Sequence, residues 1–427
     1  MKHKVLILGT LGEFTELVKK AKEKGYETVV CDGYADGIAR TYADKAYTIP
    51  VTDVDAIALM CREEGVDGII TSFSDLLLEC MVKIADKAGL PCYLKPEQLP
   101  WYRDKSETRA LLRKLELPTP GFRKIPTAVL EDPDRKSRLK ERLKGLRYPV
   151  VSKPLDKYGS RGIYISENLD ELIEASQKTA EFSDMPEILV EEYNDGYEFN
   201  MMTWVSDGAV RVISIADREK TQFAEGELPE STRNVYPSCL IDKVEEPAVS
   251  LLQSYIEYTG QKEGPLSMQF FWKAGEGIQV CEIAARFFGY EHELTDMVYR
   301  FNMEELLLNY VYDNEYVTKM LEAQDIRKPL MHGAVLYFHG RLKQIQEQQA
   351  AYELAEDKAV VKPWIFYEAG EEVVAYGPNP YLALYYIEAG SREELDEISR
   401  DFFEKMSMTD PDGEEIVFQN KIPKYSL

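Results

Sequence analysis

Residues 1–95 alternate short apolar runs with stretches of helical spacing, and no other feature of the chain constrains its fold as much. Val5 to Leu8 is an apolar run that ends at Gly9. Phe14, Leu17, Val18 and Ala21 recur at the spacing of one helix face within residues 14–24, and Gly25 stops that helix. Thr28 to Cys31 reads as a second strand and Ala46 to Ile49 as a third. Ile57 to Glu64 is helical, Gly68 to Thr71 is a fourth strand, and Leu76 to Ala88 is helical again. Such βα alternation predicts a parallel sheet with helices on its faces. Ligands of such sheets sit beyond the carboxyl ends of the strands. Here that edge carries Gly9-Thr-Leu-Gly12-Glu13 and Ser72-Phe-Ser74-Asp75.

The pattern then changes. Pro91, Pro96 and Pro100 punctuate the chain, a helix runs from Lys105 to Leu115, and Leu117-Pro-Thr-Pro-Gly121 breaks it. The stretch from Glu131 to Arg147 carries both charge signs and reads as a solvated helix. From residue 148 to about 330 strand-like runs dominate: Val150–Lys153, Ile163–Ile165, Ile188–Glu191, Phe199–Val205, Val210–Ala216, Ser267–Trp272 and Ile278–Ile283. Helical spacing interrupts them near 169–181 and 247–260, as expected of an α+β segment with largely antiparallel sheets. The final segment, 331–427, has strand runs near 333–338 and 364–368 and a helix from Arg392 to Lys405.

Composition narrows the function. The formal net charge of −24 disfavours nucleic-acid binding, which needs cations to replace counterions, and disfavours anionic membranes as well. The apolar run at the amino end is too short for a secretion signal, and no later run reaches the length of a membrane span. The six cysteines form no CxxC pair and read as reduced thiols, so a cytoplasmic chain is expected. In a chain this acidic, each Lys or Arg inside a motif gains interest.

Three constellations carry chemistry. In Tyr148-Pro-Val-Val-Ser-Lys153-Pro, an apolar strand delivers a lysine, and Asp156-Lys-Tyr-Gly159-Ser160-Arg161-Gly162 follows. Glycine lets backbone N–H groups approach a phosphate, and Ser160 and Arg161 add a donor and a charge. The Walker spacing is absent, and taken alone the segment is also what a hairpin with a glycine turn looks like. In Ile188-Leu-Val-Glu191-Glu192-Tyr193-Asn194-Asp-Gly196-Tyr-Glu198, a strand ends in acids and a turn, as a nucleotide hinge would or as a solvated hairpin would. Finally, Gln269 and Glu282 sit inside paired apolar strands, with Arg286 four residues on. A carboxylate there is costly unless it is paired or holds a metal. Mg²⁺ takes such oxygens and bridges phosphates, while a buried Glu282–Arg286 ion pair fits the same residues.

The order of these segments resembles the ATP-grasp superfamily, and Arg103-Asp-Lys105 ahead of Leu117-Pro-Thr-Pro strengthens the likeness. The match extends to carbamoyl-phosphate synthase-like, carboxyaminoimidazole synthetase-like and amino-acid ligase branches. It implies a Rossmann-like N-terminal domain over 1–100, a two-lobed ATP-grasp domain over 101–330 and a small C-terminal α+β lid over 331–427. Lys105 and Lys153 would then contact ATP phosphates, and Gly159 to Gly162 would close over them. Glu191, Glu192, Tyr193 and Asn194 would form the adenine hinge and Glu198 would bind ribose. Gln269 and Glu282 would hold Mg²⁺, and Arg286 would stabilise the transferring phosphoryl group. Substrate would meet Gly9, Gly12, Ser74 and His292, although a structural role for His292 fits as well.

Two departures stand out. The superfamily usually has a carboxylate where this chain has Gln269, and often Asn where it has Ala284. The resemblance implies a ligase joining a small carboxylate, such as an amino acid, to an amine. Bicarbonate activation, or an ATP sensor without turnover, are the rival readings. Arg218, Lys220 and Arg233 lie in the segment that in the superfamily often forms the acceptor pocket, although each one alone reads rather as a surface charge. A homodimer is compatible with all of these.

Overall fold

The computed structural model describes residues 2–157, 161–222, 228–289, 291–374 and 380–425. Gly159 and Ser160, both expected at the phosphates, lie outside the described residues.

Apolar alternation at the amino end folds as the sequence predicts. Strands β1 (Lys4–Leu8), β2 (Glu27–Asp32), β3 (Lys45–Thr48) and β4 (Gly68–Ile70) form a parallel sheet in the order β3-β2-β1-β4. Val5 to Leu8 are fully buried, as helices packed on both faces of a parallel sheet require. Asp53 and Ser74 cap the helices Val54–Glu64 and Asp75–Ala88 through their side chains, and Gly65 and Gly89 end them in the left-handed conformation.

A second, antiparallel sheet is built from β5 (Phe122–Pro126), β6 (Val150–Pro154), β7 (Tyr164–Ser166) and β8 (Glu187–Glu192), in the order β5-β8-β6-β7. The helix Leu169–Glu181 packs on it through Leu172, which is fully buried.

The third sheet has eight strands: β9 (Tyr197–Ser206), β10 (Ala209–Thr221), β11 (Glu230–Tyr236), β12 (Gly264–Lys273), β13 (Gly277–Ala284), β14 (His332–His339), β15 (Val360–Ile365) and β16 (Tyr381–Ala389). Their order is β13-β12-β9-β10-β11-β14-β16-β15, antiparallel throughout. This sheet is continuous across residue 330, so the last segment adds three strands to the sheet that holds β12 and β13.

Several local expectations need correction. The strand expected at 364–368 is β15, four residues earlier, with its edge position tolerating Pro363. The helix expected from 247 begins at Ile241 and carries Pro247 inside it. The charged stretch 131–147 is helical only over Arg135–Arg142, where Leu139 supplies the one buried contact of that helix. Strands β5, β11 and β16 and the helices between His292 and Ala323 went unread. In β11, Ser231 to Asn234 are polar yet buried, so period-two hydrophobicity has nothing to show.

Candidate active site

A cavity of about 290 Å³ lies between the second and third sheets. Its walls bring together Lys105, Lys153, Glu191, Glu192, Tyr193, Asn194, Glu198, Gln269 and Glu282, residues that the sequence scatters over 178 positions.

Lys153 ends β6 and is only 9% exposed. Its ammonium meets Glu191, which is 2% exposed and also holds the Arg109 guanidinium. Arg109 reaches on to the carbonyl of Cys281 at 2.8 Å, tying the helix Lys105–Lys114 to β13. Burial pushes the Glu191 carboxyl up, but Arg109 and Lys153 outweigh burial and hold it down at about 2. Glu191 therefore contributes its backbone to the strand end and its side chain to positioning two cations. Glu192 turns the other way and accepts from the Arg147 backbone and guanidinium. Asn194 bridges to Gln279 at 2.6 Å and accepts from the Gly196 N–H, which fixes the turn between the two sheets. Lys105 donates to the carbonyl of Lys157, and burial lowers its ammonium against the opposing pull of Glu282.

Arg161 is half-buried beside Gly162, whose φ of +70° and proximity to Phe182 leave no room for a Cβ. Thr179 donates to the Gly162 carbonyl at 2.9 Å, pinning the end of this loop to the helix Leu169–Glu181.

Glu198 is buried and receives Arg218 at 2.7 Å, together with Lys220 and the Gln269 amide. Burial raises its carboxyl, and the two cations outweigh burial, bringing it to about 2. These contacts follow from register, because Glu198 lies opposite Arg218 on β10 and Phe271 on β12. Alternate residues of β10 point away from the cavity. Asp217 and Glu219 bind Arg392, and Glu219 also binds Arg233, which is fully buried. Arg233 therefore belongs to a structural network with Asp396 and Ser399, which corrects the surface position expected of it and turns it away from an acceptor pocket on the cavity face.

Gln269 and Glu282 are direct cross-strand partners on the cavity face. Because the Gln269 amide NH₂ donates to Glu198, its carbonyl oxygen is the atom left for another partner. Among the described residues, no group of three or more His, Cys, Asp and Glu is placed to hold a metal. One carboxylate and one amide oxygen fit a hard cation that takes its remaining oxygens from a bound phosphate.

Arg286 does not pair with Glu282. Its Nε and Nη2 hold Asp75 at 2.9 and 2.8 Å, and its Nη1 donates to the Phe287 carbonyl. Burial raises the Asp75 carboxyl, but the guanidinium outweighs burial and keeps it below the usual range. Asp75 opens the helix after β4, so this pair joins the parallel sheet's carboxyl edge to the end of β13. Ser74 is the cap of that helix, accepting from the Leu77 N–H. Gly9 ends β1 with a φ of +119°, and Gly12 sits against Trp364 of β15. His292 is 4% exposed, between Glu304 at 2.5 Å and Glu293 at 3.0 Å. Burial lowers its imidazole, yet these carboxylates outweigh burial and raise it to about 9.

Sequence reasoning missed Arg109, Asn200 and Glu291. Glu291 is 3% exposed and accepts from Tyr236 at 2.5 Å and Asn200 at 2.6 Å; burial pushes its carboxyl up to about 7. Its one sequence signal was adjacency to His292.

Residues 146–293 match the family model described as the ATP-grasp domain. Curated relatives include the N-terminal section of the carbamoyl phosphate synthase large chain of Methanopyrus kandleri, 25% identical over 227 residues, covering 50% of this chain and 39% of that protein. Formate-dependent phosphoribosylglycinamide formyltransferase of Haemophilus ducreyi is 27% identical over 173 residues, covering 40% of this chain and 42% of that protein. The chain thus spans about two fifths of the length of these relatives. An L-amino acid ligase from Bacillus licheniformis has a similar fold, with a TM-score of 0.78, 19% identity and coverage of 96% of this chain and 99% of that one. Among the described residues, no helix is long and apolar enough to cross a membrane.

Proposed function

Starting from a chain that carries an ATP-grasp domain, we propose that it is an ATP-dependent carboxylate–amine ligase that activates a small carboxylate, an amino acid for preference, as an acyl phosphate and releases ADP and phosphate. One observation carries this reading. Cations for a polyphosphate (Lys105, Lys153, Arg109) and oxygen donors for Mg²⁺ (Gln269, Glu282) line one cavity, and Asp75 on its wall holds a guanidinium (Arg286) at the edge of the parallel sheet.

In this reading the substrate carboxylate attacks the γ-phosphate of ATP, and the amine then displaces phosphate from the acyl phosphate. Lys105 and Lys153 orient the phosphates, with Lys153 held in place by Glu191. Gln269 and Glu282 would hold Mg²⁺, which would supply positive charge to neutralise the phosphates. Arg286 is oriented by Asp75 toward charge that builds during transfer. Glu198, backed by Arg218 and Lys220, accepts from the ribose hydroxyls, and the strand end at Glu192 to Asn194 faces the adenine. The partners are small molecules. Free cysteines suit a reducing compartment such as the cytoplasm.

Bicarbonate activation is the second reading, favoured by likeness to the carbamoyl phosphate synthase section. The test is ADP release with Mg²⁺ and ATP across amino acids, singly and in pairs, and with bicarbonate alone. Release that needs an amino acid is expected. Release on bicarbonate alone supports the second reading. Thermal stabilisation by NAD and none by MgATP would overturn both.

A further inference from the structure

Beside Arg286, three segments meet: the loop after β1 with Glu13, the loop after β4 with Ser72 and Phe73, and the start of the helix His292–Tyr299. The Phe73 ring stacks on His292 with centroids 4.5 Å apart. Lys362 of β15 closes the cluster from the third sheet, its ammonium 2.5 Å from Glu293.

Every carboxylate of this cluster but one is held by a cation, and Asp75 meets a second one, Arg103, at 3.7 Å. Asp75 takes Arg286, Glu304 takes His292, and Glu293 takes Lys362. Glu13 is the remaining carboxylate. Arg286, His292, Glu293 and Lys362 act on it only through space, and among the described residues nothing donates a hydrogen bond to it. Burial pushes its carboxyl above the usual range. A half-buried carboxylate without a donor is costly, and a ligand that brings a donor and a positive charge removes the cost. Gly289 gives Glu13 its place, since a Cβ there would lie 2.8 Å from Glu13 Oε1.

Two further groups on these segments are buried and lack a hydrogen-bond partner. His292 Nε2 lies near Glu293 but out of line for a hydrogen bond, and Ser72 Oγ, on a residue 1% exposed, has no partner. Arg286 spends three of its five N–H groups on Asp75 and Phe287, which leaves two for a carboxylate. A carboxylate that no cation holds, next to a guanidinium with donors to spare, matches the two ends of an α-amino acid. A phosphorylated substrate would instead add negative charge beside that carboxylate.

We propose that Glu13 recognises the α-ammonium group of an amino-acid substrate whose carboxylate faces Arg286. This rests on the ligase reading and names its substrate class. Lys362 holds Glu293 in place, so Glu13 alone remains for the substrate.

The experiment compares matched acids on the full chain: L-alanine with propionate, L-leucine with isocaproate, and L-phenylalanine with hydrocinnamate. ADP release is followed for the parent, Glu13→Gln and Glu13→Asp. Loss of a charge-assisted hydrogen bond should raise the KM of the preferred amino acid by about tenfold or more in Glu13→Gln, with kcat changed less. The KM of the des-amino acid should not move, and Glu13→Asp should fall between. Equal KM changes for both classes, or none for either, would overturn the assignment. If no carboxylate elicits ADP release, the ligase reading fails by itself. The assignment is then decided by melting shifts with L-amino acids in the presence of a non-hydrolysable ATP analogue. A shift in the parent that Glu13→Gln loses supports it, and no shift in the parent overturns it. Glu13→Gln removes an uncompensated charge at constant shape, so the variant should fold.

Discussion

Replacing Gln269 with glutamate sets a second carboxylate against Glu198, where the parent has an amide donating a hydrogen bond. Two unit charges about 4 Å apart repel by about 4 kcal/mol at an effective dielectric constant of about 20. The lost hydrogen bond to a charged acceptor adds about 1.5–3 kcal/mol. Arg218 and Lys220 already face Glu198 and offset part of this, so the metal-free variant should lose on the order of 3 kcal/mol and melt several degrees lower. Mg²⁺ reverses the sign. The new carboxylate stands opposite Glu282, and together they offer the ion two full charges instead of one. Thermal melts of the parent and Gln269→Glu over a Mg²⁺ series should therefore converge as Mg²⁺ rises, with the larger shift in the variant. Acid provides a second check. The introduced carboxyl has its pKa raised in the folded state, so its destabilisation is present above that pKa and disappears below the ordinary carboxylate range. A variant that melts with the parent at neutral pH and responds to Mg²⁺ no more than the parent does would refute the placement of Gln269 between Glu198 and a metal.

Arg286→Lys keeps the charge but loses the two-point contact with Asp75; ADP release should fall by about 100-fold or more with ATP affinity, measured by calorimetry, nearly unchanged. Glu191→Gln strands Arg109 and Lys153 with no full counter-charge and should cost about 3–5 kcal/mol in chemical denaturation; a loss under about 1 kcal/mol would remove Glu191 as their anchor. His292 has its pKa raised from 6.5 to about 9, so its contribution is complete below about pH 6.5 and is lost as pH rises through about 9. Between those limits the parent should lose on the order of 3 kcal/mol more than His292→Gln in urea melts, and parallel curves would contradict a charged His292.

Much of the fold was legible because its elements are locally driven. The βα alternation at the amino end carries its own periodicity, its caps and its stop signals, so strands β1 to β4 and their helices could be read from neighbours a few residues apart. Strands β5, β11 and β16 could not, and β15 was expected four residues late. β11 spends its inward positions on Arg233 and Asn234, whose partners Glu219, Asp396 and Tyr337 come from other strands and a helix far along the chain. β15 is an edge strand with Val361 half exposed and a proline inside it, so neither a buried run nor a clean alternation marks it.

The candidate site divides along the same line. Which residue types stand where was readable, because a lysine at a strand end, acids before a turn and a glutamate inside an apolar strand are each anomalous in their own surroundings. Which charges face each other was not. Arg286 was read beside Glu282 because four residues separate them, yet β13 ends at Ala284, and the chain then turns Arg286 away toward Asp75, 211 positions earlier. Arg109 gave no local signal, since an arginine on a charged helix looks solvated until β8 brings Glu191 beneath it. The consequence is physical. Two of the pairs cross between parts of the fold, since Arg109 of the helix Lys105–Lys114 holds Glu191 of β8 and Arg286 after β13 holds Asp75 at the edge of the parallel sheet, so moving one lobe against another disturbs both at once. Nucleotide phosphates entering the cavity would compete with Glu191 for Lys153 and Arg109, and closure over the nucleotide would redistribute these pairs together with the lobes that carry them.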